Sequence, residues 1–228
     1  RVRYFRTSAL SGVLLFNMHH IASDGWSMEV LSKECFNLYQ AYTQGKESPL
    51  QALAIQYADY AHWQRTYLAG AVLEQRLSYW ERQLENVPLV HGLPLSYPRP
   101  ERKAYQGAAV SGHLSAEVAQ RLQGLAKQHQ LTPFMLLHGA LCLLLSRLSG
   151  SADIVIGAPV ANRMQAELSP LIGFFVNMLV LRVGVKHASL LDYFKHVRQV
   201  HLDAQSNQDV PFEQLVERLK IPRTQAHS

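Results

Sequence analysis

The chain has 228 residues, 48% hydrophobic and 17% charged, with glycine and proline scattered and without period. That composition excludes a disordered, collagen-like or low-complexity chain and leaves a globular protein, one large domain or two small ones, able to bury a core. The formal charge of +5 favours acidic partners through long-range steering, but Lys and Arg form no dense stripe, which argues against nucleic-acid binding.

The chain opens on RVRYFR, with neither an initiator Met nor a signal-peptide pattern, and is read as a fragment. Residues 1–10 are compatible with a strand. Gly12 to Met18 (GVLLFNM) is an apolar run of the length of a buried strand, and His19 and His20 follow it directly. After a turn at Asp24-Gly25, Ser27 is placed to cap a helix carrying Val30, Leu31, Cys35, Leu38, Tyr39 and Tyr42 at helical spacing. Further helical patterns cover about 55–68 and 71–85.

Between Pro88 and Gly107 four prolines and two glycines break the periodicity, so 88–107 is expected to link a first lobe (1–87) to a second (108–228). Ala108 to Leu114 alternates like a strand. Ser115 then caps a helix with Glu117 in its first turn, and Thr132-Pro133 opens another. The apolar stretch Leu131 to Leu148 holds His138 and Arg147 and begins with that start signal, which predicts a core helix, not a membrane span. Strands are expected at Asp153–Ala158 and Phe174–Val185, helices at Leu190–Gln205 and from Pro211. Helices alternating with apolar strands make an α/β layered pattern. The two cysteines, Cys35 and Cys142, form no CxxC pair and no cluster with His. Both sit in apolar helical patterns and read as small hydrophobes, and the usage fits a reducing cytoplasm.

HHIASDG, His19 to Gly25, is the segment where chemistry concentrates. A strand ends and delivers an imidazole to a turn. Histidine titrates near neutrality, so it can accept and return a proton. Asp24 could orient a ring or pair with a distant Arg, and Gly25 could allow a backbone angle or a close approach that a side chain would block. Two other readings stand beside this one. The histidines could be satisfied core residues, or they could hold a metal with Asp24, although adjacent strand residues point to opposite faces and ligate together awkwardly.

HHIASDGWS resembles the HHxxxDG signature of the condensation domains of nonribosomal peptide synthetases, a superfamily that includes chloramphenicol acetyltransferase-like and carnitine acyltransferase-like enzymes. Three more segments match the family in order: YADYAHW (Tyr57 to Trp63) its YxDYAxW, IGFFVNMLVLR (Ile172 to Arg182) its IGxFVNTxxxR, and NQDVPFEQLV (Asn207 to Val216) its HQDVPFE. Asn207 replaces the usual His and Met178 the usual Thr. Family members run to roughly twice this length. The resemblance therefore implies an α/β, chloramphenicol acetyltransferase-like two-lobe sandwich, here part of the N-lobe and most of the C-lobe.

It also implies a reaction: amide formation between a donor acyl or peptidyl thioester and an acceptor aminoacyl thioester. Both are carried on phosphopantetheine by upstream and downstream peptidyl carrier proteins, beside an adenylation domain. No cofactor or metal bound to the chain, no nucleic acid and no membrane is implied, and the setting is the cytoplasm. His20 matches the second signature His, the residue nearest the chemistry, with His19 beside it. Asp24 matches a structural, salt-bridged Asp whose partner is expected to be Arg163 in IGAPVANR, with Arg182 as the other choice. Gly25 belongs to the same signature. Asn177 matches a residue near the tunnel, against an ordinary cross-strand polar role. Tyr57, Asp59 and Trp63 are expected to pack a helix, and Asp209, Pro211 and Phe212 to shape a helix start.

Within the superfamily, an epimerisation domain and a stand-alone acyltransferase share the signature. FVNMLVLR resembles condensation more than epimerisation, cyclisation domains replace the signature with aspartates, and DGWS leans toward the subtype joining two L-residues. A different class is a non-catalytic platform that recruits partner proteins. Such domains tend to lose the signature His.

Overall fold

The computed structural model describes residues 1–98, 100–102 and 106–221. They fall into two compact units: Arg1–Gly70 with Pro159–Asn177, and Ala71–Ala158 with Met178–Ser228.

The first unit opens with an antiparallel hairpin, β1 (Val2–Arg6) and β2 (Gly12–Phe16), in register Tyr4 to Leu14. The apolar run 12–18 is a strand as expected, but it is not buried: Val13, Leu14 and Leu15 are 57%, 48% and 44% exposed. Its only partner among the described residues is β1, and a two-stranded ribbon has no second layer to cover either face. A one-turn 3-10 helix (His20–Ala22) follows, then α1 (Gly25–Thr43). Asp24, not Ser27, is the N-cap of α1, its Oδ1 accepting the Ser27 N–H at 2.8 Å. Both residue types cap well, and Ser27 has buried partners of its own, described below. The next helix, α2 (Tyr57–Tyr67), starts with a capping box in which the Gln56 N–H donates to Asp59 Oδ2 at 2.8 Å. Its Tyr60 joins Leu168, Leu171 and Phe175 in a small core flanked by Ile55 and Tyr57. Trp63 stacks on Tyr67 at 5.1 Å.

The second unit holds α3 (Gly70–Gln83, from its second residue), α4 (Ala116–Gln128), α5 (Pro133–Ser149), α6 (Leu190–Ser206) and α7 (Phe212–Arg218). It also holds most of the paired strands β3 (Asp153–Val160) and β4 (Asn177–Gly184). The expected caps Ser115 and Thr132 are in place, accepting from the Val118 and Met135 N–H groups. Gly150 ends α5 at φ +69°, a left-handed angle that suits glycine. On β4, Leu179, Leu181 and Val183 alternate as its buried face, and Trp80, Cys142, Val197 and Leu215 are buried in the same unit. Asp209 ion-pairs with Arg76 at 3.4 Å and does not cap α7, whose N-cap is Pro211.

Three further expectations need correction. Residues 108–114 form no strand and are exposed; no described strand pairs with them. The strand expected from Phe174 begins at Asn177, because the Gly173 and Phe175 N–H groups go to side chains. The helix α5 is a core helix on one face only: Met135, Leu136, His138, Gly139 and Cys142 are buried, while Leu137, Leu141, Leu144 and Leu148 are exposed. The stretch 88–107 has no helix or strand among its described residues. No single described helix is long and apolar enough to cross a membrane.

Candidate active site

His20 sits where the chain leaves β2, as the first residue of the 3-10 turn, and its side chain is exposed. Its Nδ1 lies 2.6 Å from the Ser23 carbonyl oxygen. A carbonyl can only accept, so Nδ1 carries the hydrogen and the neutral ring keeps its lone pair on Nε2. The Phe174 ring meets the imidazole edge-on, with centroids 5.0 Å apart and planes at 84°. His19 is engaged elsewhere, where its Nδ1 accepts the Ile21 N–H at 3.0 Å and caps the turn. The two histidines therefore have separate partners, and no group of three His, Cys, Asp or Glu among the described residues is placed to hold a metal.

Asp24 does not orient either ring. Its side chain is 3% exposed and pairs with Arg163, 1% exposed, at 3.2 Å. Its Oδ1 also accepts from Ser27 N–H and Ser27 Oγ–H (2.7 Å), and its Oδ2 from the Phe175 N–H at 3.0 Å. Burial alone would push this carboxyl up. The Ser27 hydroxyl, the Ser27 and Phe175 amides and the Arg163 charge outweigh it and hold the pKa below 3.8. Arg163 reaches further: Nη1 donates to the Leu168 and Leu171 carbonyls, Nη2 to Ser27 Oγ at 2.9 Å, and the guanidinium lies 4.0 Å over the Phe175 ring. Arg182, the other expected partner, is bound to Asp153 instead, with three contacts of 2.8–3.1 Å.

Ser27, fully buried, is the junction. Its Oγ lies 2.7–3.0 Å from Asp24 Oδ1, Arg163 Nη2, and the Gly173 carbonyl and N–H. One hydroxyl hydrogen and two lone pairs serve this set: it accepts from Gly173 N–H and Arg163 and donates to the Asp24 carboxylate, the charged acceptor, with the Gly173 carbonyl 2.8 Å away. Gly173 has to be glycine, since a Cβ there would lie 2.2 Å from Tyr57 Cδ2 and 2.9 Å from the Phe175 ring. Gly25 does not: it is the first residue of α1, has no left-handed φ, and an added Cβ meets nothing within 4 Å. Asn177 is buried at the head of β4.

Residue-type reasoning missed Ser27, Gly173 and Phe174 as parts of this site. Their signal was present in the matched segments, in the serine after DGW and the glycine opening GFF. So HHIASDGWS, YADYAHW and IGFFVN, far apart in sequence, meet in one unit, while NQDVPFEQLV belongs to the other.

The family model for the condensation domain matches residues 1–228. The chain belongs to the condensation-domain family. Among relatives, a linear gramicidin synthase polypeptide of Brevibacillus parabrevis is 43% identical over 217 residues, covering 95% of this chain and 4% of that protein. The X-domain from teicoplanin biosynthesis, solved alone and in a complex with OxyB, superposes with a TM-score of 0.91 at 26% identity, over the whole of this chain and about half of that one. A four-domain nonribosomal peptide synthetase bound to AMP and glycine matches at 0.86 and 26%, over 100% of this chain and 17% of that one. This condensation-domain chain thus spans a small part of its synthetase relatives and has the fold of the chloramphenicol acetyltransferase-like class over about half of a domain.

Proposed function

We propose that the protein to which this chain belongs forms amide bonds in nonribosomal peptide synthesis, and that His20 is its catalytic residue. The observation that carries this reading is an exposed imidazole whose Nδ1–H is fixed on the Ser23 carbonyl, leaving Nε2 free as acceptor. The substrates are a donor acyl or peptidyl thioester and an acceptor aminoacyl thioester on phosphopantetheine arms of carrier proteins, with an adenylation domain adjoining. The acceptor amine attacks the donor thioester carbon. The C–N bond forms, the C–S bond breaks, and the proton lost by the amine ends on the departing donor phosphopantetheine sulfur, which leaves as the thiol.

The thioester is already activated and a free α-amine has a pKa near 8, so little acid–base work is needed, and bringing the two arms together supplies several kcal/mol. His20 Nε2 takes the proton or holds the amine by hydrogen bond. Asp24, Arg163, Ser27 and Gly173 fix the loop and its neighbours, His19 caps the turn, and Asn177 stands near the tunnel. In this reading the lobes are 1–87 and 108–228, with 88–107 between them.

Replacing His20 by Ala and measuring amide release from two loaded carriers separates the two roles. A loss of about 10²–10⁴-fold identifies a general base, a loss below tenfold identifies positioning, and no loss overturns the assignment. A second reading has its own support: the X-domain solved with OxyB matches this chain along its whole length, and a platform recruiting a partner enzyme needs no imidazole. The intact His20 favours catalysis.

A further inference from the structure

We propose that Tyr57 is a positioning residue for His20, acting through Phe174; the claim rests on the assignment of His20 as catalytic residue. The Phe174 ring is the aromatic group against the imidazole, 5.0 Å away and edge-on. The backbone that carries that ring is held at the peptide unit joining Phe174 to Phe175. Its N–H donates to Asp24 Oδ2 at 3.0 Å, and its C=O accepts the Tyr57 hydroxyl at 2.9 Å. The peptide is trans, so N–H and C=O point in opposite directions and the two side chains grip one dipole from its two ends. The carboxylate meets the positive end and the hydroxyl hydrogen the negative end. A shift of the backbone at Phe174 that would carry its ring off His20 strains both bonds at once.

Tyr57 is itself held in place. Its ring fills the space that a side chain at Gly173 would need and meets Phe175 edge-on at 5.1 Å. Burial and the Asp24 charge push its phenol pKa up, so the hydroxyl keeps the hydrogen it donates. On the other side, the Gly173 N–H is tied to Ser27 Oγ. A residue that only packs α2 would need the ring and not the hydroxyl.

The test is Tyr57→Phe, which keeps the ring and removes the bond. It is read in two ways on the protein with its whole condensation domain: by transfer between loaded carriers, and by NMR of the His20 ring protons, which feel the ring current of Phe174. Expected are a kcat lowered more than twofold but no further than in His20→Ala, KM for both carriers within twofold, and His20 resonances displaced toward those of a Phe174→Leu variant. Adding Tyr57→Phe to Phe174→Leu should then cost less than a further twofold. Unmoved His20 resonances, or a kcat within twofold of the parent, overturn the proposal. His20→Ala in the same assay judges the underlying reading separately: if that variant is fully active, His20 is not the catalytic residue, whatever Tyr57 does to its ring.

Discussion

Asp24 divides two oxygens among three donors from its own helix start and Arg163, and a fourth from Phe175. Asp24→Asn removes the charge that compensates a guanidinium buried to 1% exposure, which should cost about 3–5 kcal/mol in denaturant unfolding; a cost under about 1 kcal/mol would mean that the carbonyl and aromatic contacts of Arg163 suffice without it. The two glycines of the matched segments separate on similar grounds. Gly173→Ala forces a Cβ into Tyr57 and Phe175 and should lose at least about 1–3 kcal/mol, whereas Gly25→Ala should stay within about 0.5 kcal/mol. Thermal melts in the reverse order would contradict the packing described. The Asp24 to Arg163 pairing could be named from residue types and a family resemblance. That Ser27 lies at the centre of it could not, because nothing local distinguishes a helix-capping serine from one meeting a backbone segment 146 residues away.

Among elements, α5 and α6 carry a buried pair that the site does not use. His138 Nδ1 and His201 Nε2 are 3.1 Å apart, with Cys142 Sγ 3.7 Å from His138 Nε2. Burial lowers the pKa of both, and the neighbouring His138 helps to bring His201 down to about 4. Cys142, which faces His138, is pushed up by burial and stays neutral, and the ring beside both histidines is Phe134, which carries no charge. Below the unfolded value of 6.5 the unfolded chain binds protons that the folded pair refuses, so stability falls as pH drops from about 6.5 toward 4. Asp24 acts in a lower window: its pKa lies below 3.8, so its contribution is intact above that value and goes only as pH falls through the lowered one. His196, lowered by burial and His187, adds to the upper window. His201→Gln should therefore flatten the pH dependence of unfolding free energy between about 6.5 and 4 by up to about 1.4 kcal/mol per pH unit, and an unchanged slope would contradict it. Caps and helical periods were legible at this scale, as Thr132 and Ser115 show. The exposed faces of β2 and α5 were not, because an apolar stripe states that a surface wants cover and not whether a neighbour supplies it.

At the scale of the whole molecule, the ordered segments, not the composition or the charge, pointed to the family. The meeting of three of them around His20 is a tertiary fact that spacing along the chain does not contain, since Tyr57 and Phe174 are 117 residues apart. The most direct measurement is single-turnover transfer between a donor-loaded and an acceptor-loaded carrier, comparing the full-length protein with its His20→Ala variant. An amide product is expected from the parent, with carrier binding unchanged and slower transfer in the variant, by about a hundredfold or more where Nε2 is the base and by less than tenfold where it holds the amine. Equal rates in the two proteins, or no amide from the parent together with capture of a partner enzyme, would refute catalysis by His20.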